Sequence, residues 1–232
     1  LRSVLRHYKN IEVLMDEVTD ILPDTKQLVL KNETPPLDYD ILIMAPGSVT
    51  HYFGHQTWAE HSQGLKTVEE ALDMRRQIFS NFELAEKETD PQKQAALLTF
   101  MIIGGGPTGV ELAGALAELS RFSLPQDFRR VDCGQAKIIL VEMGPRILAA
   151  YPEELSQKAT DTLKELGVTI RTGTSVTDIQ DQVVTLSHNN HSEEIHAGTI
   201  LWAAGVKASG LGQVLAERLG CELDRGGRVM VG

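Results

Sequence analysis

The chain is poor in cysteine, in positive charge and in long apolar runs, and each shortage excludes something. Of its 232 residues, only Cys133 and Cys221 are cysteines, and they lie far apart. A disulfide framework, a zinc knuckle and a C-x-x-C redox pair all need paired cysteines, so none is expected. Two reduced thiols in a cytoplasmic protein is the simplest reading. Lys and Arg number 22 against 32 Asp and Glu, a net charge of -10. That balance argues against a nucleic-acid groove and against a basic membrane-surface patch. No apolar run approaches a membrane span; the greasy stretch around Ile138 to Val141 stops at Glu142. His51, His55 and His61 sit close together, but Gly54 interrupts them and no cysteine assists, so no metal site is expected. His188, His191 and His196 flank Asn189-Asn190, a hairpin-turn signal, and are read as solvent-facing.

What is present is a run of buried-type strands interleaved with helices. "IEVLMDEVTDI" (11–21) alternates like a strand, Pro23-Asp24 marks a turn, and "KQLVL" (26–30) reads as the return strand. The "NETPP" segment is punctuation, and "YDILIMAPGS" (39–48) reads as a buried strand entering a turn. From Thr67 the spacing of Val68, Ala71, Leu72, Ile78, Phe79, Phe82 and Ala85 predicts a helix. "EKETDPQKQ" (86–94) is a polar break and a candidate domain boundary. Beyond it, "LLTFMII" (97–103) has no polar face, as a strand of a covered parallel sheet requires. A helix, the strand "AKIILVE" (136–142), a helix from Pro152, four short strands and a last buried strand "TILWAAG" (199–205) follow. Trp202 on that strand is read as core, and Arg75-Arg76 as a solvated helix face. The fold class expected is α/β: a Rossmann-like unit with a parallel sheet and a β meander.

Between strand and helix stands "GGGPTG", residues 104 to 109. Gly104, Gly106 and Gly109 give G-x-G-x-x-G. The first glycine makes a tight turn, the second lets backbone approach a pyrophosphate, and the third lets the helix close on the strand. Gly105, Pro107 and Thr108 complete the turn. Pro107 suits the first helical position, where a missing N–H costs nothing. The acidic partner of such a turn ends the next strand. Glu142 has that position, although it lies 33 residues beyond Gly109 rather than the usual about 20. The excursion 121–135 accounts for the excess. A carboxylate there accepts ribose hydroxyls and repels a 2′-phosphate, which predicts NADH over NADPH.

The segments "LDYDILIMAPGS", "LKTVEEALDMRRQIFSNFE", "IIGGGPTGVELAGALAEL", "LVEMGPRIL" and "ILWAAGV" occur in that order. Together they resemble the two-dinucleotide-domain flavoproteins, and most closely the type II NADH:quinone oxidoreductases of the pyridine nucleotide-disulfide oxidoreductase superfamily. The resemblance implies an NADH-binding domain (66–205) inserted in a partial FAD-binding domain (1–65 and 206–232), and it implies an internal fragment of a longer enzyme. It implies FAD and NADH as cofactors, with Gly104, Gly105, Gly106, Pro107, Thr108, Gly109 and Glu142 at NADH. It places Glu111 near the nicotinamide amide, Ala204 and Gly205 under the nicotinamide, Val18 beside the FAD adenine, and Ala45 and Gly47 beside the flavin. Pro46 departs from the family's pattern and removes a backbone donor there. Electrons would pass to a quinone without proton pumping. The full-length protein would be peripheral on the inner face of the cell membrane, and homodimeric assembly is compatible with the family. Two other readings stay open: another FAD-dependent reductase of the superfamily, of the ferredoxin or rubredoxin type, or an NAD(H)-binding module without turnover.

Overall fold

A computed structural model describes residues 2–32 and 35–231. Glu33 and Thr34 of the "NETPP" break, and the terminal residues, lie outside the described residues. The chain divides into two compact units, 1–49 with 207–232 and 50–206.

The second unit is built on a parallel sheet. Its strands are β1 (Thr99–Ile103), β2 (Lys137–Val141), β3 (Thr169–Arg171) and β7 (Thr199–Trp202), in the order β7-β1-β2-β3. Between β3 and β7 in sequence run β4 (Ser175–Gln180), β5 (Val183–His188) and β6 (His191–His196), an antiparallel meander. Both meander turns use two residues at positive φ: Asp181 and Gln182, then Asn189 and Asn190. That mirror-image turn matches the twist of the flanking strands. Four α-helices belong to the unit: α1 (Val68–Lys87), α2 (Pro91–Leu97), α3 (Pro107–Glu118) and α4 (Glu153–Glu165).

The missing polar face of β1 now has its explanation. All five of its residues are buried. Phe100 and Ile102 face a core with Ile78 and Phe82 of α1, Leu116 of α3 and Leu163 of α4. Met101 and Ile103 face a second core with Ile179, Val184 and Leu186 of the meander. Side chains alternate across a strand, so only a sheet covered on both faces needs a continuous apolar run. Each large side chain so buried contributes about 1.5–3 kcal/mol.

The polar break at 86–94 divides two helices inside one unit and is no domain boundary. Its polar residues are end-caps. Asp90 accepts from the Gln92 N–H at 2.8 Å and starts α2, and Glu88 accepts from the Thr89 and Asp90 N–H groups. Glu86 accepts from the N–H groups of Arg129, Arg130 and Val131, so one carboxylate pins the excursion to α1. Residues 50–65 pack with the parallel sheet, where Gln63 extends the edge of β7: its N–H donates to Ile200 O and its carbonyl accepts from Trp202 N–H, each at 2.8 Å.

In the first unit, strands Val18–Leu22 and Gln27–Leu30 pair antiparallel, joined by a turn in which Lys26 has φ 53°. A helix at Leu211–Leu219 belongs to the same unit, and its Arg218 pairs with Asp20. The strand expected at 11–21 begins only at Val18, because its partner strand reaches no further than Leu30. The buried strand expected at 39–48 is absent through residue 47. Ile41 and Ile43 are 85% and 87% exposed. A buried strand needs neighbours on its edges and faces, and no strand among the described residues pairs with 39–47.

Candidate functional site: a glycine turn at the carboxyl end of a parallel sheet

In an open α/β sheet, ligands sit beyond the carboxyl ends of the strands, where the strand order reverses. Here that point lies beside β1, with β2 on one flank and β7 on the other. The loops leaving these three strands are Gly104 to Gly106, Glu142 to Gly144, and Ala203 to Gly205.

The glycines of the turn differ in what requires them. Gly104 has φ +113°, and a Cβ there would lie 2.6 Å from the backbone of Ala203 and Ala204. At Gly109 a Cβ would lie 1.9 Å from the carbonyl oxygen of Gly104. At Gly105 it would meet the Glu142 side chain at 2.9 Å. Folding alone accounts for these three. Gly106 is unlike them: its φ is an ordinary -75°, and a Cβ would meet nothing within 4 Å. It is also the N-cap of α3 with no side-chain cap, so this end of the helix presents bare N–H groups. Nothing in the protein requires a glycine at 106. The open space in front of it gives a reason, since a pyrophosphate approaching those N–H groups would be met by any side chain there.

Glu142 reaches into the turn. One carboxylate oxygen accepts from the Gly105 N–H at 2.7 Å and the other from the Gly144 N–H at 2.6 Å. The side chain therefore ties the loop after β2 to the loop after β1. Each oxygen retains a further lone pair for a ligand hydroxyl.

Three hollows meet at this turn, and Ala204 lines all of them. The first, about 370 Å³, runs from Gly104 and Glu142 along Met143 and Val176 to Trp58 and Trp202. The second, about 220 Å³, lies between Gly106 to Thr108 and Ala203 to Val206, with Lys66 on its wall. The third, about 280 Å³, separates the glycine turn from Leu148 to Tyr151. Leu148 holds a left-handed φ of 50° and donates its N–H to Gly105 O at 2.7 Å. The Arg146 guanidinium donates to the Leu148 and Ala149 carbonyls. Such a conformation is unusual for leucine, and it seats residues 148–151 against the glycine turn.

A family model described as pyridine nucleotide-disulphide oxidoreductase matches residues 2–232. The chain belongs to this family. A type II NADH:quinone oxidoreductase, Ndh of Mycobacterium tuberculosis, is 41% identical over 99% of this chain and 50% of its own length. The type II enzyme of Staphylococcus aureus is 31% identical over 91% and 51%. The chain thus spans about half the length of these relatives. The fold of NDH2 from Plasmodium falciparum, solved in complex with NADH, superposes with a TM-score of 0.80 over 88% of this chain and 43% of that one, at 22% identity. A ferredoxin reductase of Rhodopseudomonas palustris superposes at 0.72 over 100% and 49%, at 17% identity.

In this member of the pyridine nucleotide-disulphide oxidoreductases, Gly104, Gly105, Gly106, Pro107, Thr108, Glu142, Ala204 and Gly205 all line the three hollows or their shared turn. Gly109 lies beneath, against Gly104. Gly205 owes its size to packing as well: a Cβ there would stand 2.7 Å from the Phe53 ring. Glu111 lines none of the hollows. The helix starts at Pro107 and has no acidic residue in its first turn, so Glu111 stands on the second turn. The helix dipole acts chiefly on the first turn and does not account for this exposed carboxylate. No described residue pairs with it.

Val18, Ala45 and Gly47 lie in the other unit. Val18 opens the strand that pairs with Leu30, and Ala45 and Gly47 are exposed on an irregular stretch, with Gly47 at φ +69°. The sequence holds one G-x-G-x-x-G, at 104–109.

Among the histidines, His55 stacks on Trp58 with ring centroids 4.1 Å apart, and His51 Nδ1 accepts from the Phe53 N–H. His188, His191 and His196 are exposed. Trp202 is buried and donates Nε1–H to His51 O at 3.1 Å. Burial pushes the Cys133 thiol up to about 11. Among the described residues, no helix is long and apolar enough to cross a membrane.

Lys66, Leu148, Tyr151, Thr174 and Val176 line the hollows and were not singled out by sequence. They stand in loops or on the meander, outside any glycine motif or apolar period that would mark them.

Proposed function

We propose that this chain is the NADH-binding portion of a type II NADH:quinone oxidoreductase, with flanking portions of its FAD-binding domain. The observation that carries this reading is the open, uncapped glycine at 106 beside the carboxylate of Glu142. Relatives named as type II NADH:quinone oxidoreductases support it. Residues 66–205 are assigned to the NADH domain, and 1–65 and 206–232 to the FAD domain, with 50–65 packed on the NADH domain's sheet within one compact unit.

NADH lies across the glycine turn in this reading. The first turn of α3 binds the pyrophosphate, and Glu142 binds the adenosine ribose hydroxyls. Ala204 and Gly205 leave room for a flat nicotinamide, and Glu111 accepts from its carboxamide. The chain's own residues contribute binding, alignment and close approach rather than a nucleophile. FAD, when bound to the longer protein, supplies the hydride acceptor and relays electrons to a quinone without proton pumping. Val18, Ala45 and Gly47 would border the FAD. The whole enzyme would sit peripherally on the cytoplasmic face of the membrane, with homodimeric assembly.

Glu142 also sets the cofactor choice. Like charges 4 Å apart repel by about 4 kcal/mol at the effective dielectric of a protein surface. Even a third of that weakens a 2′-phosphorylated nucleotide about tenfold. Calorimetry of this chain with NADH and with NADPH should therefore show NADH bound at least about tenfold more tightly. Equal affinities, or tighter NADPH, would sink the assignment.

A further inference from the structure

We infer that Lys66 is a binding residue for the pyrophosphate of the dinucleotide, which deepens the NADH reading above and rests on it. NADH brings two negative charges to a chain whose own net charge is -10. A cation beside the bare N–H groups of α3 offsets part of that repulsion. Lys66 is the one Lys or Arg that lines any of the three hollows at the glycine turn. It shares the second hollow with Gly106, Pro107 and Thr108, where α3 begins.

Two further features suit the role. The Lys66 side chain is exposed and forms no ion pair among the described residues. Its ammonium is uncommitted. Its backbone, by contrast, is fixed. The Lys66 N–H donates to Glu70 Oε2 at 2.5 Å, and the same oxygen accepts from the Thr67 N–H at 3.0 Å. Thr67 in turn accepts from the Glu70 N–H at 3.1 Å, which closes a reciprocal cap at the start of α1. A rooted main chain with a free, flexible cationic tip is what a phosphate contact from lysine needs. Arg146, in the loop after Glu142, is committed: it donates to the carbonyls of Leu148 and Ala149.

The test uses this chain with three probes: NADH, ADP-ribose and adenosine. Lys66→Gln should weaken NADH and ADP-ribose about tenfold, equivalent to about 1.4 kcal/mol, and leave adenosine unchanged. Lys66→Arg should restore most of the loss. The salt dependence of NADH binding should flatten in Lys66→Gln, because one screened charge contact has gone. Lys93→Gln, a lysine outside the three hollows, serves as the control and should change nothing. Unchanged ADP-ribose affinity in Lys66→Gln overturns the inference, and so does an equal loss for adenosine. If the unaltered chain binds no NADH, the failure belongs to the NADH reading itself.

Discussion

Replacing Gly106 by Ala should separate binding from folding within one six-residue turn. The new methyl group would meet no protein atom within 4 Å, and the backbone φ of -75° suits alanine. Removing a glycine from the unfolded chain stabilises by about 0.4–1 kcal/mol. Alanine is a poorer N-cap than glycine by a similar amount. The two nearly cancel, so stability should stay within about 1 kcal/mol of the original. Gly109→Ala is the counterpart. Its methyl would stand 1.9 Å from the Gly104 carbonyl oxygen, a backbone atom that cannot swing aside. Overpacking of this kind costs about 1–3 kcal/mol or more. For a chain of 232 residues, each kcal/mol moves the melting temperature by about 2–4 °C. Gly109→Ala should therefore melt about 6–12 °C lower at the upper estimate, and Gly106→Ala within about 4 °C of the original. Binding should order them differently. Gly106→Ala puts a methyl where the pyrophosphate must lie, and should lose at least about tenfold in NADH affinity, about 1.4 kcal/mol. The protein's two tryptophans, Trp58 and Trp202, line the first hollow, so quenching of their emission by NADH gives the affinity directly. Unimpaired NADH binding in Gly106→Ala, or a melting loss matching that of Gly109→Ala, would refute the division of labour among the glycines.

The Glu86 carboxyl is held below its ordinary 4.5 by the N–H groups of Val131, Arg130 and Arg129. A depressed value in the folded state means its contribution is fully present above about pH 4.5 and is lost as pH falls through the folded value. Amide exchange at 129–131 should therefore speed up in acid, and Glu86→Gln should show faster exchange there already at pH 7; protection independent of both would remove Glu86 from this role. Glu111→Gln, made in the longer enzyme, should slow flavin reduction, read by stopped-flow absorbance. An unchanged rate would return Glu111 to an ordinary surface residue.

The parallel-sheet unit was legible in the sequence because its signals are local. A run with no polar face announces a doubly covered strand, and β1 sends alternate side chains into two cores. Asn189-Asn190 announced its hairpin because both residues tolerate positive φ. The glycine spacing announced the turn, and Glu142 announced its place at the end of β2. Other features depend on partners distant in sequence. The segment 39–47 has strand composition, yet no described strand pairs with it, and hydrogen-bonded neighbours decide a strand. Periodicity could not show that Gln63 would join the edge of β7, or that Lys66 and Val176 would border the glycine turn from opposite ends of the unit.

By itself the sequence determined an α/β chain with a dinucleotide-type turn and an acidic partner, because backbone geometry and side-chain alternation act between near neighbours. Only the tertiary structure decided that three glycines serve packing while Gly106 faces open space, and that Glu142 ties two loops together. Those outcomes depend on which atoms approach across the sheet, and that is set by the packing of β1, β2 and β7 rather than by spacing along the chain.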